Sequence, residues 1–321
     1  SFIRLYKANF KGGSGMHDDV LSILPEHIRK MIMRLDETIL SEMEEIRLRV
    51  MRPLEIIAQG TPYYLINDRD HYIVQRDDAK YVMSKLSQYS LYAFEEELRR
   101  GFITIKGGHR VGLAGKVVLN KGQVQTMRDI SSFNIRIAKQ AIGAAEKLIS
   151  SLYDRGWLNT LLIGPPQTGK TTLLRDLARL ISQGVPRRNI PPLKVGIVDE
   201  RSEIAASLHG IPQLDLGVRV DVLDGCPKAE GMMMLIRSMS PDVIIVDEIG
   251  RKEDADAICE ALHAGVKVMT TAHGDSVEDV EKRPELKKLF QVEAFDRYVE
   301  LMRTDRPGAI KKIRRKDVVF R

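Results

Sequence analysis

Eight residues, Gly164-Pro165-Pro166-Gln167-Thr168-Gly169-Lys170-Thr171, satisfy the pattern G-x-x-x-x-G-K-[ST] at every fixed position. The pattern has meaning only between a strand and a helix, and both flanks are present. Before it stands the apolar run Leu161-Leu162-Ile163. After it, Leu173, Leu174, Leu177, Leu180 and Ile181 fall on one helical face, which Gly184 and Pro186 end. Glycines in such a loop let backbone N–H groups approach phosphate oxygens, and the helix N-terminus adds partial positive charge. Lys170 is expected to reach the β- and γ-phosphates, and Thr171 to offer its hydroxyl to Mg²⁺. The expected nucleotide-binding set is Gly164, Pro165, Pro166, Gln167, Thr168, Gly169, Lys170, Thr171 and Thr172, with ATP and Mg²⁺ as the ligands.

The rest of the C-terminal half alternates short apolar runs with helical stretches. Asn159–Ile163, Val195–Val198, Val243–Val246 and Val266–Thr271 are continuous rather than alternating, as strands buried on both faces are. Chemistry-bearing residues follow several of these runs, where a parallel sheet gathers strand ends at one edge. Val243-Ile244-Ile245-Val246-Asp247-Glu248 has the form of a Walker B element. Asp247 is expected to hold Mg²⁺ through water and Glu248 to orient the attacking water. Asp199-Glu200-Arg201-Ser202-Glu203 makes Glu200 a second candidate base and Glu203 a third acid, the alternative being an acid-rich helix start. Thr270-Thr271-Ala272-His273-Gly274 puts His273 at the same edge.

The N-terminal part has a different texture. Asp18 to Leu40 reads as helical, with Pro25 at an early helical position, and Glu45 to Ile57 reads as a strand pair turning near Met51–Pro53. A further strand is expected over Tyr63–Ile66, helix over Asp77–Arg100, and strand-rich chain over Phe102–Leu119. The fold class expected is α/β: a P-loop, RecA-like ATPase domain with a parallel-rich sheet at 139–321, preceded by a smaller α+β domain at 16–138. Residues 1–15 end in Gly12-Gly13-Ser14-Gly15 and read as a tag or linker. They carry three cations and no acid, so the formal net charge of +6 falls to +3 without them. The charge is thus a weak indication of nucleic-acid binding. Lys311, Lys312, Arg314, Arg315 and Lys316 form a basic C-terminal tail, either solvated or a patch for an anionic partner. Cys226 and Cys259 lack metal-ligand spacing and are expected to be buried thiols. Met232-Met233-Met234 with Met239 is apolar surface for the core or for a neighbouring subunit. No apolar run approaches the roughly 20 residues a spanning helix needs, and no secretory signal is visible; a cytoplasmic or membrane-peripheral protein is expected.

Taken in order, the P-loop, Asp199–Glu203, Ser240-Pro241-Asp242 leading to Asp247-Glu248, and Thr271-Ala272-His273-Gly274 resemble the Walker A, acidic box, Walker B and histidine box of the secretion-motor ATPases of type II and type IV systems. The resemblance is closest to the stage III sporulation protein AA family of endospore-forming bacteria. It is carried by Ala93–Leu98, Gly107–Lys116, Ser132–Ala138 and Pro227-Lys228-Ala229-Glu230-Gly231 and extends from Met16 to the C-terminus. It implies an ATPase assembled as a ring, a hexamer, at the mother-cell face of membrane proteins that form a channel to the forespore; the modest charge, with no interleaved basic-aromatic stretch, leads to no specific nucleic acid being expected as partner. It also implies arginines that complete the site: Arg110 and Arg136 from the N-terminal domain and Arg237 near a subunit boundary, each otherwise a surface salt bridge. The secretion motors commonly have Gly-Glu where this chain has Asp247-Glu248, which leaves open whether Glu200 or Glu248 is the base. Two other readings compete: a nucleic-acid translocase or helicase of the same fold, and a nucleotide-gated scaffold with little turnover.

Overall fold

The computed structural model describes residues 15–67, 69–89, 94–304 and 308–316. Residues 1–14 of the expected tag, residues 90–93 of the segment expected as helix, and residues 317–321 lie outside it. The chain divides into two compact units, Ser1–Lys139 and Gln140–Arg321.

The first unit is built on a six-stranded antiparallel sheet ordered β3-β2-β1-β8-β7-β6. Its strands are β1 (Met43–Arg49), β2 (Glu55–Ala58), β3 (Thr61–Tyr64), β6 (Phe102–Thr104), β7 (Arg110–Asn120) and β8 (Gln123–Arg136); β4 (Ile66–Asn67) and β5 (Asp70–His71) pair separately. Pro62 lies in β3, an edge strand, where a missing N–H breaks no ladder. The segment expected as one helix over Asp18–Leu40 is three: α1 (Gly15–Ser22), α2 (Glu26–Ile32) and α3 (Glu37–Glu42). Pro25 caps α2 instead of continuing α1, because residue 24 before a proline is driven out of the helical region. Helices α4 (Arg76–Tyr89) and α5 (Phe94–Arg100) complete the unit. Alternation on β1 and β8 buries Ile46, Leu48, Phe133 and Ile135 with Ile28, Val82 and Leu86 from the helices, and leaves the other face polar.

The second unit carries a seven-stranded sheet ordered β11-β10-β12-β13-β9-β14-β15. Strands β9 (Thr160–Ile163), β10 (Val195–Asp199), β11 (Val220–Asp224), β12 (Val243–Val246), β13 (Lys267–Ala272) and β14 (Arg297–Leu301) pair in parallel, and only β15 (Ile310–Arg315) is antiparallel, to β14. Helices α6 (Ile149–Leu152), α7 (Lys170–Gln183), α8 (Lys228–Ser238), α9 (Lys252–His263), α10 (Val277–Glu281) and α11 (Lys287–Gln291) lie between the strands. Two apolar clusters form in this unit, one around Leu173, Leu177, Ile197 and Ile245, the other around Val198, Leu235, Ile244 and Ile258. All of β9, β10 and β12 is buried, which is why those strands read as continuous apolar runs.

The basic segment is not a tail. Residues 310–315 form the sheet's edge strand β15; Arg314 pairs with Glu278 and with Glu300 at 3.0 Å, and Lys316 lies 3.8 Å from Glu293 and Asp296. Lys311, Lys312 and Arg315 stay exposed, the usual protection of a strand edge against pairing with another chain. Cys259 is buried but Cys226 is half-buried, and both are free. Of the methionine run, Met232 is in the core and Met234 faces solvent.

Candidate nucleotide site

The P-loop runs from the end of β9 into α7. Gly164 is fixed as glycine by crowding: a Cβ there would meet Thr168 Oγ1 at 2.7 Å and Leu301 Cβ at 3.1 Å. Gly169 at φ 84° is left-handed, letting the loop turn directly into α7. Thr168 Oγ1 donates to Pro165 O at 2.9 Å and pins the loop's interior.

Lys170 is buried. Its Nζ donates to Gly164 O at 2.7 Å and Pro165 O at 2.9 Å, and meets His273 Nδ1 at 3.1 Å. An ammonium has only donors, so His273 Nδ1 accepts and the ring proton sits on Nε2. Nε2 then donates to Glu248 Oε1 at 3.1 Å. His273 thus links the P-loop lysine to the glutamate that follows β12. Burial lowers the Lys170 pKa from its ordinary value, and the charges of Asp247 and Glu248 oppose that shift.

Asp247 and Thr171 meet across the strand ends. Thr171 Oγ1 donates to Asp247 Oδ2 at 2.9 Å, and Thr271 Oγ1 donates to Asp247 Oδ1 at 2.6 Å. The Glu248 N–H donates to the same Thr271 oxygen at 2.8 Å. Glu248 sits at φ 42°, a costly backbone state for a residue with a side chain and one that concentrates at functional sites. Its other carboxylate oxygen pairs with Arg201 at 3.1 Å.

Glu200, Arg201 and Glu203 follow β10 on a loop tied down from two sides. Asp199 accepts from the N–H groups of Glu203, Ile204 and Ala205 at 2.8–3.0 Å, although burial outweighs those bonds and raises its pKa. Arg175, from α7, donates to Glu203 O at 2.6 Å and Ile204 O at 2.7 Å. Glu200 pairs with Lys228 Nζ.

Together these residues line a cleft of about 410 Å³, a size within the usual range for small-ligand sites. Pro166, Gln167, Gly169, Lys170, Thr171 and Thr172 form one wall, and Arg201, Glu203, Asp247, Glu248 and His273 the other. Among the described residues no cluster of three or more His, Cys, Asp or Glu could hold a metal alone. The Thr171–Asp247 pair offers two oxygens, which suits Mg²⁺ that keeps waters and phosphate oxygens as its other ligands.

Arg237 is exposed in the last turn of α8, outside the lining of the cleft. Arg110 and Arg136 are in the first unit, directly opposite each other on β7 and β8, with Glu45 of β1 next in the row. Like charges placed opposite in a ladder repel; here Arg110 stacks on Phe102, 4.5 Å to the ring centre, and Arg136 lies 3.8 Å from Glu45. Thr271, Arg175, Arg201 and Lys228 carry structural duties in the site that no motif position announces. Thr271, Arg201 and Lys228 at least stand inside the sequence motifs; Arg175, in the middle of an amphipathic helix, carries no signal in the sequence.

The chain matches the family model described as sporulation stage III, protein AA, over residues 15–319. It is 56% identical to the stage III sporulation protein AA of Bacillus subtilis over 94% of this chain and 95% of that one. Two solved structures share the fold: the ATPase DotB of Legionella pneumophila (14% identity, TM-score 0.56, covering 87% and 79% of the two chains) and the pilus retraction motor PilT with bound ADP (16%, 0.57, 84% and 77%).

Proposed function

The chain belongs to the sporulation stage III protein AA family and has the fold of secretion ATPases, and from that footing we propose that it binds and hydrolyses MgATP to drive a channel complex of the developing spore. The observation that carries this reading is the junction at the ends of β9, β12 and β13, where Lys170, His273, Glu248, Asp247, Thr171 and Thr271 form one hydrogen-bonded chain. Lys170 and the P-loop amides bind the phosphates. Thr171 and Asp247 would hold Mg²⁺, which would supply positive charge to offset that of the phosphates. Glu248, held by His273 and by the Thr271 hydroxyl at its N–H, accepts a hydrogen bond from the attacking water and aligns it.

Arg110 and Arg136 are assigned to the charge that develops on the phosphates, and Arg237 to a contact between neighbouring chains. The protein then works as a ring of identical subunits, a hexamer, on the mother-cell side of membrane proteins in the channel. No helix of the described residues is long and apolar enough to cross a membrane.

The test is Lys170→Ala, with phosphate release measured on the oligomer. Turnover is expected to fall to background with the fold retained; unchanged turnover would place the chemistry elsewhere. Stimulation of turnover by single-stranded DNA, and none by a membrane partner, would favour a nucleic-acid translocase instead.

A further inference from the structure

A narrow recess adjoins the nucleotide cleft and shares Arg201, Glu203, Asp247 and Glu248 with it. Glu200 and Lys228 belong to the recess. Lys228 is the first residue of α8, the end of a helix where exposed N–H groups disfavour a cation. Its side chain is nonetheless only 12% exposed, and Glu200, onto which its Nζ donates, only 24%. Surface ion pairs are looser: Lys30–Glu26 has both side chains about two-thirds exposed. A lysine held at the wrong end of a helix, shielded and with its charge on one carboxylate, serves that carboxylate.

The reason lies in the charge of the site. Cleft and recess together carry Asp199, Glu200, Glu203, Asp247 and Glu248, beside a place for a polyanion. Asp199 is engaged by three backbone N–H groups and Asp247 by two hydroxyls. Glu248 pairs with Arg201 and His273, whose side chains are 64% and 36% exposed, so these contacts are open to solvent. Of the two ion-paired glutamates, Glu200 has the more shielded cation.

We propose that Lys228 is a positioning residue that neutralises Glu200 and holds it against α8, so that the site can keep this acid next to the nucleotide's phosphates. Glu200 is thereby a fixed element of the wall, and Glu248, on its loosely held contacts, is the acid that turns to the water. The proposal rests on the nucleotide reading given above.

The experiment is binding of a non-hydrolysable ATP analogue with Mg²⁺ to the full chain by calorimetry, for wild type, Lys228→Met, Lys228→Arg, Glu200→Gln and the double variant Lys228→Met/Glu200→Gln. One uncompensated charge in a partly shielded site should weaken binding about tenfold in Lys228→Met. Lys228→Arg should stay within about twofold of wild type, and adding Glu200→Gln to Lys228→Met should restore binding to within about threefold, because the offending charge is gone. A Lys228→Met chain that binds like wild type, or a double variant no tighter than Lys228→Met, overturns the proposal. Should Lys228→Met fail to fold, the double variant is compared with Glu200→Gln, and a loss there beyond about threefold overturns it equally. A wild-type chain that binds no analogue overturns the nucleotide reading itself, so the two failures are told apart.

Discussion

The hydroxyl of Thr271 does two things at once: it donates to Asp247 and accepts from the Glu248 N–H. One oxygen therefore fixes both the metal-side carboxylate and the backbone of the residue beside it. Thr271→Val keeps the shape and removes both bonds. Turnover is expected to fall about 10- to 100-fold, the usual effect of losing a group that orients a ligating side chain. Affinity for the MgATP analogue should move little, and Thr271→Ser should recover most of the loss. Equal weakening of turnover and affinity would assign the hydroxyl to nucleotide binding instead. The sequence displays Thr271 only as a member of a box ending in His273. Its partnership with Asp247 depends on the register of β12 on β13, Val246 opposite Thr270, which no local pattern states. Lys170, by contrast, is legible from spacing alone, because the loop's glycines prescribe where its side chain goes. Glu200 and Glu248 are equivalent as strand-end acids in the sequence; their partners, Lys228 for the one and Arg201 and His273 for the other, tell them apart.

At the scale of elements, β9, β10, β12 and β13 are legible because burial on both faces makes them continuous apolar runs. Three others escape that criterion. The edge strand β11 is half-buried and carries Asp221 and Asp224; β14 includes Arg297 and Glu300; β15 is mostly cationic. Glu300 is nearly fully buried and accepts from the Val277 N–H at 3.0 Å and from Arg314. A buried carboxylate disguises its strand until the partner is known. Removing that partner with Arg314→Met should cost about 3 kcal/mol, since it strands a charge in the interior. Chemical denaturation of the variant checks the figure, and a loss below about 0.5 kcal/mol would reduce the pair to a surface contact. Packing of α8 gives a second case. A Cβ at Gly231 would stand 2.5 Å from Val198 Cγ1 and 3.1 Å from Cys226 Sγ, so the helix lies on β10 at glycine distance. Gly231→Ala should destabilise by about 1–3 kcal/mol despite alanine's better helix propensity. A thermal midpoint at or above that of wild type would contradict this.

For the whole molecule, the functional assignment asks one unit to complete chemistry built in the other. Arg136→Ala and Arg110→Ala should therefore leave analogue binding close to wild type and lower turnover on the order of a hundredfold or more, as loss of a charge-stabilising arginine does in related phosphoryl transfers. Native mass measurement with the analogue should find the same ring as wild type. Turnover unchanged in both variants would return these arginines to a structural role with Phe102 and Glu45. The chain that leads into the second unit offers a way to watch such a cycle. Asp176 of α7 accepts from the Gly143 N–H at 3.1 Å and the Ala145 N–H at 2.8 Å, while Gln140 bonds Asp215 through both its amide groups. Asp176 lies six residues beyond Lys170 on the same helix. The amides of Gly143 and Ala145 are thus built-in reporters. Their hydrogen exchange slows or quickens with the grip of that one carboxylate, and a nucleotide that shifts the helix will register in their protection before any larger motion is measured.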